Sequence, residues 1–423
     1  MSKAVASTKT VLYALGSNGQ GQLGLSHKDD VSRPEKCVFR SLASAAHSSS
    51  DDGATTVDYV PLGQGETIEK LVAGGNHTLV LTTSGRVFAA GQSRAVDFCR
   101  GDEPRDGSLG FKEIPLAKFL GTQGHVVHGQ EVVVTDVATT WEASFFVVNG
   151  QKIYVNGVGD KGELGRGERV REFLETEPPV CQIFDIRDVE GPTARIVKVS
   201  ACMNHVVVLT TEDNLYGWGA SRKGQLGSAL QTEKVIWRPK RIVLEGFEGA
   251  VSHVVTGREF TFLVGRRWET RMVLGAAPRG GFEFPMNLRE VFTNSEETNT
   301  NLSLYEDMSG IEIHALWGGV VVKLLDGQIH GFGRNEHGQL VDTDRIGMFE
   351  KLAAGSEHSV ALLTDGTVRA WGWGEHGNCG EGGVRRGDRS EDSGLLFRPT
   401  NGEIIDGIGA GCATTFFWVR ETG

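Results

Sequence analysis

The chain has 423 residues, and its 43 Lys and Arg against 54 Asp and Glu leave a formal net charge of −11, which disfavours any function resting on neutralised phosphates, since that needs a basic face or tail. Its 58 glycines against 11 prolines are about twice ordinary glycine usage, too few for collagen and too regularly placed for low complexity, so a turn-rich β protein is expected. No run approaches the roughly 18 apolar residues of a membrane-spanning helix, and the polar opening MSKAVASTKT is no leader or anchor, so the expected address is cytoplasmic and nuclear, with six scattered cysteines as free thiols.

Two short patterns alternate along the chain. Residues 1–10 read as a flexible lead. Gly16 then opens GSNGQGQL: a glycine, four residues, a second glycine, an amide or acid and an apolar residue. After a Ser- and Asp-rich insertion near 38–66 comes AGGNHTLVL from Ala73, a small-residue turn followed by a polar pair and an apolar strand. A glycine-loop copy at Gly91, lacking its second glycine, precedes an insertion near 93–131. TTWEASFFV from Thr139 and GVGDKGEL from Gly157 follow, then an acidic insertion near 167–194. ACMNHVVVL from Ala201 leads to GASRKGQL from Gly219, and TGREFTFLV from Thr256 to a degraded glycine loop at Gly275. Beyond an insertion near 282–310 come ALWGGVVVKL from Ala315, GRNEHGQL from Gly333, AGSEHSVAL from Ala354 and GWGEHGNC from Gly372. A charged insertion near 381–396 separates these from the last copy, AGCATTFFW from Ala410.

The stretch from Glu350 to Gly380 shows what one unit is. Three short β-type runs are joined by a Gly355 turn and by Asp365-Gly366, whose glycine supplies the φ > 0 that a two-residue hairpin needs. Such a unit cannot bury its own apolar face, so copies must stack. Each pattern occurs seven times, but at the amino end the glycine loop lacks its strand pair and at the carboxyl end the strand pair lacks its loop. Joined, the two ends make one unit. The expectation is therefore an all-β, seven-bladed β-propeller over 11–420, closed by N- and C-terminal strands that share a blade and leave no open edge.

Both patterns together resemble the regulator-of-chromosome-condensation repeat over nearly the whole chain. YALGSNGQGQLGL (Tyr13 to Leu25), WGWGEHGNCG (Trp371 to Gly380), GCATTFFWV (Gly411 to Val419) and the turn tryptophans Trp141 and Trp317 are more narrowly similar to the fungal alpha-tubulin suppressor family, also called killer-toxin-insensitivity protein thirteen. That narrower resemblance implies a non-enzymatic scaffold without cofactor. Its implied partner is a small zinc-binding electron carrier of diphthamide biosynthesis, held as a heterodimer, with a link to Elongator-dependent modification of the tRNA wobble uridine. The alternative is guanine-nucleotide exchange on a small GTPase, the activity of the superfamily's founding member. An enzyme using a central-channel site is a third class, with no carboxylate or metal-ligand cluster to name.

Candidate site residues come from position in the repeat. The polar pair and the next residue of each turn should fall at one end of the ring near its axis, which gives Asn76, His77, Trp141, Glu142, Asn204, His205, Arg258, Glu259, Trp317, Glu357 and His358 as partner contacts. Large aromatics beside an arginine suit an interface; the histidines equally suit satisfied turn positions, and the tryptophans a channel plug. Gly157-Val-Gly159-Asp-Lys-Gly162 and Gly372-Trp-Gly374-Glu-His-Gly377 match a dinucleotide fingerprint, but each is a repeat element lacking the following helix that the fingerprint needs. His125, His128 and Glu131 form the tightest metal-like group, yet i and i+3 on a strand face opposite ways. No metal is expected.

Overall fold

In every repeat a half-buried strand runs into a tight turn, a buried strand returns from it, and a third strand follows a hairpin. The structure is a computed structural model that describes residues 8–40, 62, 65–92, 109–123, 131–168, 170–173, 177–266, 270–276, 310–325, 327–340, 347–381 and 393–422. Six of the returning strands, His77–Thr82, Ala143–Val148, His205–Thr210, Phe260–Gly265, Gly319–Lys323 and His358–Leu363, are buried at every position. Both faces of such a strand are covered by neighbouring sheets, so its Thr, Ser and His must find partners inside.

The described residues form seven sheets, each built outward from its inner strand and antiparallel throughout except for one outer pair of the first, Phe39–Arg40 beside Phe111–Glu113, which is parallel. The inner strands are Ile68–Ala73, Val134–Thr139, Ile196–Cys202, Val251–Thr256, Glu312–Ala315, Phe349–Ala354 and Glu403–Ala410, here numbered blades one to seven. The seventh blade is composite. Glu403–Ala410 and Thr414–Thr422 come from the carboxyl end, and Thr8–Gly16 and Val31–Lys36 complete the sheet from the amino end. The closing pair runs in register from Thr8 opposite Thr422 to Gly16 opposite Thr414. Residues 8–10 are thus strand rather than flexible lead, because Arg420, Glu421 and Thr422 supply their backbone partners.

Several segments expected as surface insertions carry outer strands instead. Phe39–Arg40, Cys181–Asp185 and Leu395–Phe397 edge their blades, Phe111–Glu113 lies one strand in from the first blade's edge, and the helix Leu116–Thr122 covers that blade's flank. These strands are short and only partly buried, so they leave no alternating run in the sequence. The segment near 282–310, apart from residue 310, and the pair His125 and His128 lie outside the described residues.

The glycine loops explain their own spelling. Both glycines of each full copy have positive φ, for example +115° and +78° at Gly16 and Gly21, or +128° and +79° at Gly157 and Gly162. A Cβ on Gly16 would stand 2.3 Å from the Ala413 carbonyl oxygen. The amide after the second glycine folds the loop back on itself: Gln22, Gln225 and Gln339 accept from the backbone N–H of Gln20, Lys223 and His337 at 2.9–3.0 Å. The backbone carbonyls of these residues, and of Asn378, accept hydroxyls of the next blade, Thr78, Thr261, Ser359 and Thr415, at 2.7–3.0 Å. The motif is therefore an inter-blade clasp, and among the described residues the next element after each fingerprint-like string is a strand, Cys181–Asp185 or Leu395–Phe397. Trp218 and Trp371 are buried and donate to the carbonyls of Glu163 and Gln339 at 2.6 and 3.1 Å. Trp373 is half-buried, against the His376 ring at 5.5 Å.

Candidate functional site

The turns that end the inner strands lie at one end of the ring. In each, the small residue's N–H donates across the turn, as Gly74 to the His77 carbonyl at 2.8 Å and Gly355 to the His358 carbonyl at 2.9 Å. A further set of backbone bonds ties one turn to the next: Gly75 N–H to Trp141 O, Trp141 N–H to Met203 O, Arg258 N–H to Trp317 O, Trp317 N–H to Ser356 O and Ser356 N–H to Gly411 O, all 2.9–3.1 Å. Neighbouring turns so linked cannot move independently. The face is a fixed collar.

Trp141 and Trp317 project from blades two and five, on opposite sides of the axis, and their rings meet with centroids 6.1 Å apart and planes tilted by 46°. The pair meets across the middle of this end of the central channel, whose cavity both rings line. Gly75 has no side chain because Trp141 occupies the space, 2.4 Å from where its Cβ would stand. The Arg258 guanidinium lies 5.4 Å from the Trp317 ring centroid, a cation–π arrangement. Beside the pair, Glu357 receives Arg334 at 2.9 Å and faces His337 at 3.2 Å, and Arg334 also reaches Glu336.

The eleven expected residues separate into two layers. Arg258 and Glu259 are exposed, while Asn76, Trp141, Glu142, Asn204, Trp317 and Glu357 are half-buried at the collar. His77, His205 and His358 lie beneath it, buried, and cannot reach an outside partner. Each shares a hydrogen bond through Nε2 with a hydroxyl of the next blade, Ser144 at 3.0 Å, Thr261 at 3.1 Å and Thr415 at 2.9 Å. Burial pushes all three down to about 4, so they are neutral at pH 7. Sequence reasoning missed Arg334 and His337, which sit on the glycine loop rather than the turn, and missed Cys202, Met203 and Cys412, which line the channel. Their common signal was adjacency to the turn in the neighbouring blade, which sequence order hides. Among the described residues no group of three or more His, Cys, Asp or Glu could hold a metal ion, and no helix is long and apolar enough to cross a membrane.

Models of the regulator of chromosome condensation (RCC1) repeat match residues 68–94, 349–378 and 212–264. An RCC1 repeat-containing protein of Schizosaccharomyces pombe is 28% identical over 379 residues, covering 87% of this chain and 89% of that protein. A protein of Bos taurus named secretion-regulating guanine nucleotide exchange factor is 24% identical over 421 residues, covering 89% of this chain and 76% of the relative. The crystal structure of Prp20p from Saccharomyces cerevisiae superposes with TM-score 0.66 at 16% identity, over 99% of this chain and 93% of that one.

Two expectations are corrected by these relatives. The scaffold paired with a diphthamide electron carrier and serving Elongator is overturned, as is the expectation of a non-enzymatic protein, because near-full-length relatives carry the name of guanine nucleotide exchange factors. The reason is visible in the loops. GSNGQGQL and GWGEHGNC are spelled by inter-blade clasps such as Gln22 and Asn378, so the fold accounts for them and they carry no information about partner.

Proposed function

We propose, from the premise that the chain belongs to the RCC1 repeat superfamily, that it is a guanine-nucleotide exchange factor for a small GTPase of the nucleus or cytoplasm. The observation that carries this reading is similarity along 89% of the chain to a relative named for that activity. The geometry supports it in kind. Exchange requires no nucleophile or covalent step. It requires a surface that binds the nucleotide-free GTPase more tightly than the loaded one, since a ligand shifts an equilibrium only by its differential affinity, and the same coupling makes nucleotide weaken the factor's hold in return.

A collar held by turn-to-turn backbone bonds meets that requirement, because a rigid surface is complementary to one state of a mobile partner and does not follow it into the other. On this reading Trp141 and Trp317 form the apolar centre, with Arg258, Glu259, Glu142, Asn76, Asn204 and Glu357 as the polar surround, an arrangement suited to an interface with its energy concentrated at the middle. The test is release of fluorescent GDP from a panel of purified small GTPases. Catalytic amounts of the chain should accelerate release from at least one member more than tenfold. Release at the intrinsic rate across the panel, together with no retention of any nucleotide-free GTPase, would overturn the assignment.

A further inference from the structure

Away from the tryptophan pair, the channel has a second chemical character. Its cavity of about 390 Å³ is lined by the inner strands, and Lys70 and Lys198 are among its walls. Just before a residue three positions upstream of the strand's end, or four in Ile196–Cys202, the pairing register slips in six of the seven blades. The residues at that position are Lys70, Asp136, Lys198, His253, Glu312, Lys351 and Gly407. All but Gly407 are ionisable, and they make a belt around the axis. An inner strand pairs on one side only, so its remaining backbone groups face the channel and need other partners.

Most of the belt supplies those partners from one blade to the next. Lys70 Nζ donates to Asp136 Oδ1 at 2.5 Å, and Asp136 in turn accepts from the N–H groups of Val137 and Val199 at 2.8 and 2.9 Å. Glu312 accepts from the Leu352 N–H at 2.9 Å and faces Lys323 at 3.2 Å and His314 at 3.6 Å. Lys351 donates to the Asp406 carbonyl at 2.5 Å.

Lys198 breaks the pattern. Among the described residues no hydrogen-bond acceptor or carboxylate pairs with its ammonium, although the side chain is half-buried. The nearest carboxylate, Asp136, is already taken by Lys70 and two backbone donors. The following blade offers His253, whose Nδ1 is engaged with the Ser252 hydroxyl at 2.9 Å. Burial pushes His253 down to about 4, so it is neutral at pH 7. Lys70 and Lys198 thus line the cavity with the exposed Glu69, and the carboxylate between the two lysines, Asp136, is spent on Lys70 and two backbone donors, so Lys198 is left a half-buried cation without a counter-charge of its own, which is costly. Burial, reinforced by Lys70, pushes Lys198 down to about 8, so it is still mostly protonated at pH 7.

We infer that the channel binds a small oxyanion of the phosphate class at Lys198, with Lys70 as the second positive charge. Such an anion accepts hydrogen bonds from the ammonium and from channel-facing backbone N–H groups, and it cancels the excess charge that the belt leaves. The inference does not rest on the exchange reading, because Lys198 stands on the inner strand Ile196–Cys202 and not in a turn of the collar, although Trp141 and Trp317 line the same cavity.

Orthophosphate is the probe, titrated calorimetrically into the full chain at pH 7 and constant ionic strength, with acetate in a parallel arm. The wild type should bind one phosphate saturably and melt at a higher temperature in its presence. Lys198→Met should lose at least tenfold in affinity yet melt no lower than wild type without phosphate. Lys198→Gln serves if the methionine variant does not fold, and Lys240→Met, at an exposed lysine paired with Glu233, should bind as wild type does. Absence of saturable phosphate binding, equal affinity in the Lys198 variant, or tighter binding of acetate would each overturn the inference.

Discussion

The indole rings of Trp141 and Trp317 belong to blades two and five, separated by 176 residues of chain by subtraction of their numbers, yet their centroids lie 6.1 Å apart across the axis. Trp141 also fills the space beside Gly75 of blade one. The pair exists only because the ring closes, and it turns an open channel end into an apolar centre flanked by Arg258 and Glu357.

If this centre is where the GTPase docks, Trp317→Ala should weaken that complex by about 2 kcal/mol, roughly thirtyfold in affinity, and lower exchange at sub-saturating GTPase in proportion. The melting temperature should change little, because the contact is worth only about 1 kcal/mol to the fold. Titration of nucleotide-free GTPase onto wild type and variant reads the difference; equal affinities would move the docking surface elsewhere.

Gly75→Ala tests the same centre without removing an aromatic. The new methyl group would lie 2.4 Å from the Trp141 ring, so the indole must shift and its contact with Trp317 must change. A changed tryptophan emission maximum with retained cooperative melting is the expected signature, accompanied by slower exchange.

Closure of the ring rests on Thr8–Gly16. Val11, Leu12, Ala14 and Leu15 on this strand are essentially fully buried. Deleting residues 1–16 strips the seventh blade of its third strand and exposes the edge of Thr414–Thr422, so the truncated chain should aggregate on size exclusion. Leu12→Ala, which leaves the strand in place, should cost about 2–5 kcal/mol in denaturant unfolding.

The buried histidines set the acid limit. His77, His205 and His358 are held at about 4 against an ordinary 6.5. The unfolded chain therefore binds their protons first. Their contribution to stability is complete above pH 6.5 and is lost progressively as pH falls from 6.5 towards 4. Chemical denaturation at pH 7, 6 and 5 should show stability falling by about 1 kcal/mol or more per histidine over that range. A flat profile would show that these rings are charged or hydrated in the folded state.

Glu163 acts in the opposite direction. It stands where sister loops have Gln22, Gln225 and Gln339, and burial pushes its carboxyl up to about 7 from an ordinary 4.5. The folded state thus holds the proton more tightly, and stability declines as pH rises from 4.5 through 7. Glu163→Gln should raise stability at pH 8 by about 1 kcal/mol or more and leave it nearly unchanged at pH 4.5.

The two repeat patterns made the blade number and the shared terminal blade legible, because each copy must supply the same turn, the same positive-φ glycines and the same buried returning strand. Outer strands such as Cys181–Asp185 and Leu395–Phe397 were not legible. They lie at the rim, partly solvated, and need no regular alternation to pair.

The candidate site was legible by position and not by role. Gly75, Trp141 and Arg258 occupy equivalent places in three repeats, yet one makes room for a neighbouring indole, one crosses the axis and one lies exposed over a ring. Sequence by itself determined the local geometry, since strand periodicity, glycine placement and turn chemistry act over a few residues. Which side chains meet across the axis, which lysine is left without a carboxylate and which histidines are sealed from water were decided by the tertiary structure alone. Each of those depends on distances between blades far apart in the chain, and these become defined only when the ring is closed.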